Sequence, residues 1–448
     1  MTRRGLSLAL AVLLGGCTAA LPDFDDAGPG SDAGTDGGTD AGHDAGHDAG
    51  QVAGSDAGED AGHDAGADAG QDAGVVPVVR QISVGSIHTC ALVEPGGVFC
   101  WGADNRGQLG DGFTDGTFAQ NRAEPQPVVT LSDVVSIHAG WGATCALDAA
   151  GAARCWGHNT QARFGDGTGS STTPTPVSLM FAGTPEPLVE ISHNESHLCA
   201  RSATRVYCSG HNGQGQLGRE GAGNARLTPV EGLPLERTPR SIAAGYSTTN
   251  GFTLLALDDG SVWCWGQNDD SECALPASDS VPPTEVPGLS RIVQVTAGAN
   301  FACARDDVGD VFCWGSNHEG RTGNGTLGGP EVEVPTRVSL PVPIGWVGAE
   351  GGSVIAVTSD GAGVYGWGGN TQGLLGLGGA DAQPSPRVLV MEAGARFEAA
   401  IGSSHACLIR RRPAMIDEVL CAGSNSNLQL GMRPAPDPSR FGVVPMFP

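Results

Sequence analysis

The chain has 448 residues, among them 71 Gly and 29 Pro, and a formal net charge of -25. It contains no Lys, and its 24 basic residues are all Arg, with Arg410-Arg411-Arg412 as the one basic run. Nucleic acid is therefore not an expected partner, because phosphate binding needs clustered positive charge. The acidity is uneven: thirteen Asp and one Glu lie between Asp23 and Asp72, with no basic residue among them.

Residues 1–16 read as an export signal. Arg3 and Arg4 are followed by an apolar run, Leu6 to Leu14, too short to span a bilayer as a helix. The run ends in Leu14-Gly15-Gly16-Cys17, which resembles the bacterial lipobox. The resemblance implies cleavage before Cys17, acylation of its sulfur and membrane attachment through that lipid. Each buried acyl methylene contributes about 0.8 kcal/mol, so several chains on one Cys anchor stably. Thr18, rather than Asp, follows Cys17 and points to the outer membrane or surface of a diderm bacterium.

Residues 17–74 are expected to form a disordered acidic linker. From Ser31 to Gly74 the chain runs in eleven tetrads of the form x-Asp-Ala-Gly, with small departures. That period fits neither strand nor heptad, and a Gly in each tetrad opposes a helix by about 1 kcal/mol. Few apolar side chains are present to offset the entropy of ordering. Coil statistics give a mean span of about 35–40 Å. His43, His47 and His63 sit among the Asp residues, but carboxylates spread along a flexible chain do not make a defined calcium site.

Residues 75–448 contain a repeat. Its clearest copy is Gly85-Ser86-Ile87-His88-Thr89-Cys90-Ala91-Leu92, then Val98-Phe99-Cys100-Trp101-Gly102, then Gly107-Gln108-Leu109-Gly110. Trp-Gly recurs at Trp156, Trp265, Trp314 and Trp367, with Ser209-Gly210 and Ala422-Gly423 as degenerate copies. The seven copies lie roughly 50–55 residues apart, in the range of repeat arrays. Each holds short apolar or β-branched runs split by Gly, Pro, Asn and Asp, the pattern of antiparallel strands and tight turns. One four-stranded sheet cannot bury both faces alone, so the copies must stack, and radial closure achieves this.

These motifs resemble the repeats of the regulator-of-chromosome-condensation family. The resemblance implies an all-β fold: a seven-bladed β-propeller of four-stranded antiparallel blades. The run Phe441-Gly442-Val443-Val444-Pro445 is expected to add an outer strand to the first blade and so fasten the ring.

Thirteen Cys less Cys17 leave twelve, an even number that favours disulfides in an exported chain. Cys90/Cys100, Cys145/Cys155, Cys199/Cys208, Cys303/Cys313 and Cys407/Cys421 occupy the same two places in five repeats. The sixth repeat lacks both, having Ile355 and Gly366. The fourth has Leu255 at the first place, and its Cys264 is assigned to Cys273. The spacing offers no Cys-x-x-Cys for zinc.

No catalytic motif, cofactor site or metal site is evident. His88, His197 and His405 share one repeat position and read as hydrogen-bonded strand-end residues. Asp111 to Asp115 and Asp166-Gly167-Thr168 read as turns. Trp141, Trp263 and Trp346 lie outside the repeated Trp position and, with Arg411, are the binding candidates. Family members serve nucleotide exchange on a small GTPase and chromatin binding, and some bacterial ones inhibit β-lactamases. An exported acidic chain suits neither of the first two, so a monomeric module binding a protein or glycan is expected. The alternative is a carbohydrate-active lyase or hydrolase with a non-repeated site on one propeller face.

Overall fold

A computed structural model describes residues 78–113, 121–234, 236–246, 250–433 and 438–445. The leader, Cys17, the tetrads and Thr114-Asp115 lie outside the described residues. In the first repeat the apolar runs become β1 (Val79–Val84), β2 (His88–Val93) and β3 (Gly97–Gly102), and the segment after the Gly-Gln-Leu-Gly loop becomes β4 (Arg122–Pro127). They form one antiparallel sheet in the order β1-β2-β3-β4. Every position of β2 is buried, as suits a strand flanked in its own sheet and covered on both faces.

Six more sheets of the same order follow, spanning 134–178, 188–229, 239–285, 292–337, 344–391 and 396–443. These are blades 2 to 7. The apolar core is divided among the seams between blades rather than gathered at one centre. Seven buried clusters match seven seams; in the first, Leu92, Cys100 and Leu109 of blade 1 pack on Ile137, Ala146 and Trp156 of blade 2.

Both sheet edges are protected, as free edges invite foreign pairing. The outer strands carry Pro, which cannot donate to another strand: Pro125 and Pro127 in β4, Pro282 and Pro283 in blade 4. On the inner edge, side chains of one blade satisfy backbone of the next. Ser83 Oγ accepts the Ala139 N–H at 2.7 Å, Ser192 Oγ that of Ala244 at 2.9 Å, and Thr296 Oγ1 that of Ala349 at 2.9 Å.

The ring does not close as the sequence suggests. Gly442–Val443 pairs with Glu418–Gly423 of blade 7, not with blade 1. Blade 1 is already complete, because β4 returns to its own β3 with Phe99 opposite Pro127. Each repeat thus builds one whole blade. Closure rests on side chains, with Val79, Val84 and Trp101 packed against Ile409, Leu430, Met432 and Val444.

Candidate functional site

The repeated residues hold the scaffold together. Asp104, Asn159, Asn212, Asn268, Asn317, Asn370 and Asn425 each accept, through Oδ1, the N–H five residues on at 2.8–3.2 Å, which shapes the loop after the third strand. The indole of each repeated Trp then crosses the seam. Trp101, Trp156, Trp265, Trp314 and Trp367 donate at 2.7–3.1 Å to the carbonyls of Gln429, Gln108, Gln216, Glu272 and Arg321 in the preceding blade. In blade 3, where Ser209 replaces the Trp, its hydroxyl donates to the Arg163 carbonyl at 2.7 Å.

Among the described residues six disulfides form. Five join facing residues of the second and third strands of one blade: Cys90–Cys100, Cys145–Cys155, Cys199–Cys208, Cys303–Cys313 and Cys407–Cys421. The register sets each pair directly opposite, with Cα atoms 4.0–4.1 Å apart. Cys155, Cys208, Cys313 and Cys421, like Cys100, sit one place before the Trp-Gly element or its degenerate copy and are fully buried. The sixth bridge, Cys264–Cys273, instead ties the third strand of blade 4 to its following loop. The residue facing Cys264 is Leu254, not Leu255, because Phe252 stands opposite Gly266 and sets the register. A slip of one residue would turn the side chain to the other face of the sheet.

With repeated residues committed to packing, distinctive chemistry falls to the ends of the central channel. The inner strands of blades 1, 2, 3, 5, 6 and 7 line a cavity of about 820 Å³ along the channel. Opposite the residue two beyond each first Cys place, the inner strands carry Gln81, Ser136, Glu190, Ser241, Gln294, Trp346 and Glu398. Trp346 is the lone aromatic of this ring. It lies against Gly348, where a Cβ would meet the indole at 2.3 Å.

Arg396, Glu398 and Arg411 line the same cavity as Trp346. Arg411 is largely occupied: it pairs with Glu398 at 2.9 Å and with Asp417, and donates to the Val79 carbonyl at 2.8 Å, so it also fastens blade 7 to blade 1. Arg410 and Arg412 pair with Glu392 and Glu418. The basic run is thus neutralised by carboxylates of blade 7 and of the segment leading into it. Glu190 is held by Arg201 at 2.5 Å. Arg396 remains exposed, with no ion pair among the described residues.

Trp141 sits at the opposite end, in the hairpin tip after the inner strand of blade 2. Its ring lies 5.1 Å from that of His158. Its carbonyl accepts a bond from Arg163 at 3.3 Å; Arg163 is fully buried and also donates to the carbonyls of His158 and Asn194. Burial pulls the Arg163 pKa down to about 9, Glu195 opposing, so the group stays charged at neutral pH. At this end the half-buried Glu350 is pushed up to about 8 by burial. Tyr246 is raised by burial and then by the charge of Glu350. Trp263 joins neither end; it packs in the seam between blades 3 and 4.

The structure therefore brings together Trp346 and Arg411 and separates Trp141 and Trp263 from them. Arg396 and Glu398 escaped the sequence reading; aligning the inner strands by their facing partners would have picked out Glu190 and Glu398 together. Of the carboxylates that line the cavity, Glu190 and Glu398 are each bound to an Arg, whereas the pKa of Glu350 is raised by burial. The mouth offers an aromatic surface, an exposed cation and hydrogen-bonding edges.

Comparison with known proteins agrees with this architecture. The RCC1-like domain model matches residues 45–408. The E3 ubiquitin-protein ligase HERC2 of Homo sapiens is 28% identical over 342 residues, 72% of this chain, which spans only 7% of that protein's length. The Ultraviolet-B receptor UVR8 of Arabidopsis thaliana is 26% identical over 79% of each chain. Human WBSCR16 superposes with a TM-score of 0.67 at 18% identity, covering 78% of this chain and 95% of that one. Yeast RCC1 (Prp20), solved with Kap60, superposes with a TM-score of 0.62 at 20% identity, covering 72% and 78%. With its seven seam-packed blades and a family match over most of its length, the chain belongs to the RCC1-like domain family.

Proposed function

We propose that this chain is a cell-envelope binding module, anchored at Cys17, spaced from the membrane by residues 17–74, and docking a protein or glycan at the channel mouth that carries Trp346. The leader pattern and the acidic tetrads support export and tethering. Six disulfides suit an oxidising compartment. The observation that carries the docking site is the position of Trp346, the lone aromatic in a ring of otherwise polar residues, in the same cavity that the exposed Arg396 lines. Aromatic and Arg side chains are the commonest energetic anchors of interfaces. One yeast relative was solved bound to Kap60, and Prp20p is described by its binding to Gsp1p and histones. Only the class, recognition through a propeller face, is carried over.

Crosslinking on intact cells tests the proposal. The wild-type chain should give a discrete adduct, which W346A and R396E lose while their melting temperatures stay near wild type. Digestion of the adduct with protease or glycosidase assigns the partner class. C17S should release the chain from the membrane fraction. An adduct that survives both mouth substitutions would place the docking surface elsewhere.

A further inference from the structure

Blades 1, 3 and 4 shape one loop with different chemistry at one position. In blade 1, Gln108 Oε1 accepts the Arg106 N–H at 2.7 Å, and its amide donates to Asn105 Oδ1 at 3.0 Å. In blade 3, Gln216 Oε1 accepts the Gln214 N–H at 2.9 Å, and its Nε2 lies 3.0 Å from His211 Nδ1. Blade 4 carries Glu272 there, and its Oε2 accepts the Asp270 N–H at 3.0 Å in the same way. Glu272 Oε1 therefore stands where a glutamine would carry its NH2. Asp269 stands where blade 1 has Asn105. An amide pair that satisfies itself in blade 1 has become a pair of carboxylates in blade 4.

At Glu272 the exchange leaves a carboxylate oxygen where blade 7 leaves the equally unpartnered amide nitrogen of Gln429. The Glu272 side chain is fully buried, and Oε1 has no hydrogen-bond partner. Carboxylate oxygens of Asp269, Asp270 and Glu272 lie within 4.8 Å of one another, and no other such trio of His, Cys, Asp or Glu occurs among the described residues. Left bare, the three charges repel across a few ångströms in a poorly solvated loop.

The loop also carries a covalent tie that its equivalents lack. Cys264–Cys273 pins the residue after Glu272 to the strand Val262–Asn268. Trp314 Nε1 donates to the Glu272 carbonyl at 2.7 Å, and Asp270 Oδ2 accepts the amide of Asn300 from the first hairpin of blade 5.

We propose that Asp269, Asp270 and Glu272 bind a hard divalent cation of the calcium class, with Glu272 Oε1 as the buried ligand, and that the ion braces this loop of blade 4 against the adjoining hairpin of blade 5. Oxygen ligands without nitrogen or sulfur select calcium-like ions over zinc. Asp269 is exposed, which leaves room for water to complete a shell of six to eight oxygens. Burial, with the charges of Asp269 and Asp270 adding to it, pushes the Glu272 pKa up to about 8; the ion would take the place of that proton. An incomplete protein shell fits an affinity on the order of 0.1–1 mM.

The full chain and its E272Q variant provide the test. E272Q restores the residue used at Gln108 and Gln216, so the variant should fold, and in EDTA it should melt no lower than wild type. Calcium at about ten times Kd should raise the wild-type melting temperature by about 2 °C and leave E272Q unmoved. The acidic tetrads are common to both chains and cancel in the comparison. Terbium provides a second readout, because Trp314 is close enough to sensitise its emission. One saturable equivalent, displaced by calcium and lost in E272Q, is expected. Equal calcium responses in the two chains, or terbium emission insensitive to E272Q, would overturn the site and leave the trio as carboxyls sharing a proton.

Discussion

His405 Nε2 lies 2.7 Å from Thr89 Oγ1, joining the last blade to the first across 316 residues of sequence. The Thr89 hydroxyl donates its own proton to the Gln429 carbonyl at 2.8 Å, so the imidazole must present Nε2–H to it. The same latch recurs as His88 to Thr144 at 2.8 Å and His197 to Thr253 at 2.9 Å. At the other four seams the pairs at these places are Ala143 with Leu198, Phe252 with Ala302, Phe301 with Val354, and Ser353 with Ala406. A His in one blade is matched by a Thr in the next, and without the His the Thr is missing too. A buried hydroxyl or imidazole left alone costs more than the pair contributes, which is why the two change together.

That pairing should appear in a double-mutant cycle. H405F and T89A are each expected to lower stability by about 1–3 kcal/mol, because each strands a buried polar partner. The double variant should fall short of their sum by about 1 kcal/mol or more. Denaturant midpoints at constant m-value provide the measurement, and strict additivity would mean that the latch carries no coupling.

Acid should loosen the ring through these same residues. Burial lowers the pKa of His88, His197 and His405 to about 3, and that of His138 and His158 to about 4. The unfolded chain takes up these protons near pH 6.5 and the native chain does not. Stability is therefore whole above pH 6.5 and drains away as pH falls toward 3. Glu272 and Glu350, raised to about 8 chiefly by burial, act in the opposite direction: their contribution is present below pH 4.5 and is lost as pH rises through 8. In EDTA, melting temperature should peak near pH 6.5, and H88F or H197F should flatten the acid limb.

Removing residues 440–448 separates two models of closure. Blade 7 loses its outer strand, and the last seam loses Val444. The melting temperature should drop, and amide exchange should accelerate in Glu418–Gly423 while β3 of blade 1 keeps its protection. Fast exchange in β3 instead would restore the expectation that the tail completes the first blade.

The propeller was legible in the chain because a blade is made locally. The five pairs of facing Cys and the Gly, Pro and Asn breaks report contacts within one repeat, and the seven Trp-Gly places mark the same point in each copy, so a period of about 50 residues displays them. Cys264 was harder, since its facing residue depends on a register that only the hairpin geometry settles. Trp346 stood out as a non-repeated aromatic, whereas Arg396 and Glu398, which line the same cavity, belong to another blade.

The sequence by itself determined the blades: their number, their four antiparallel strands and their internal bridges, because those contacts lie close along the chain and recur. Only the tertiary structure decided what happens between blades. The His–Thr latches, the indoles reaching the preceding loop, the assignment of the tail to blade 7 and the meeting of Asp270 with Asn300 all join groups that approach only once the ring has closed. Burial at the seams then sets the price of every unpaired polar atom, and that is a property of the assembled ring rather than of any one repeat.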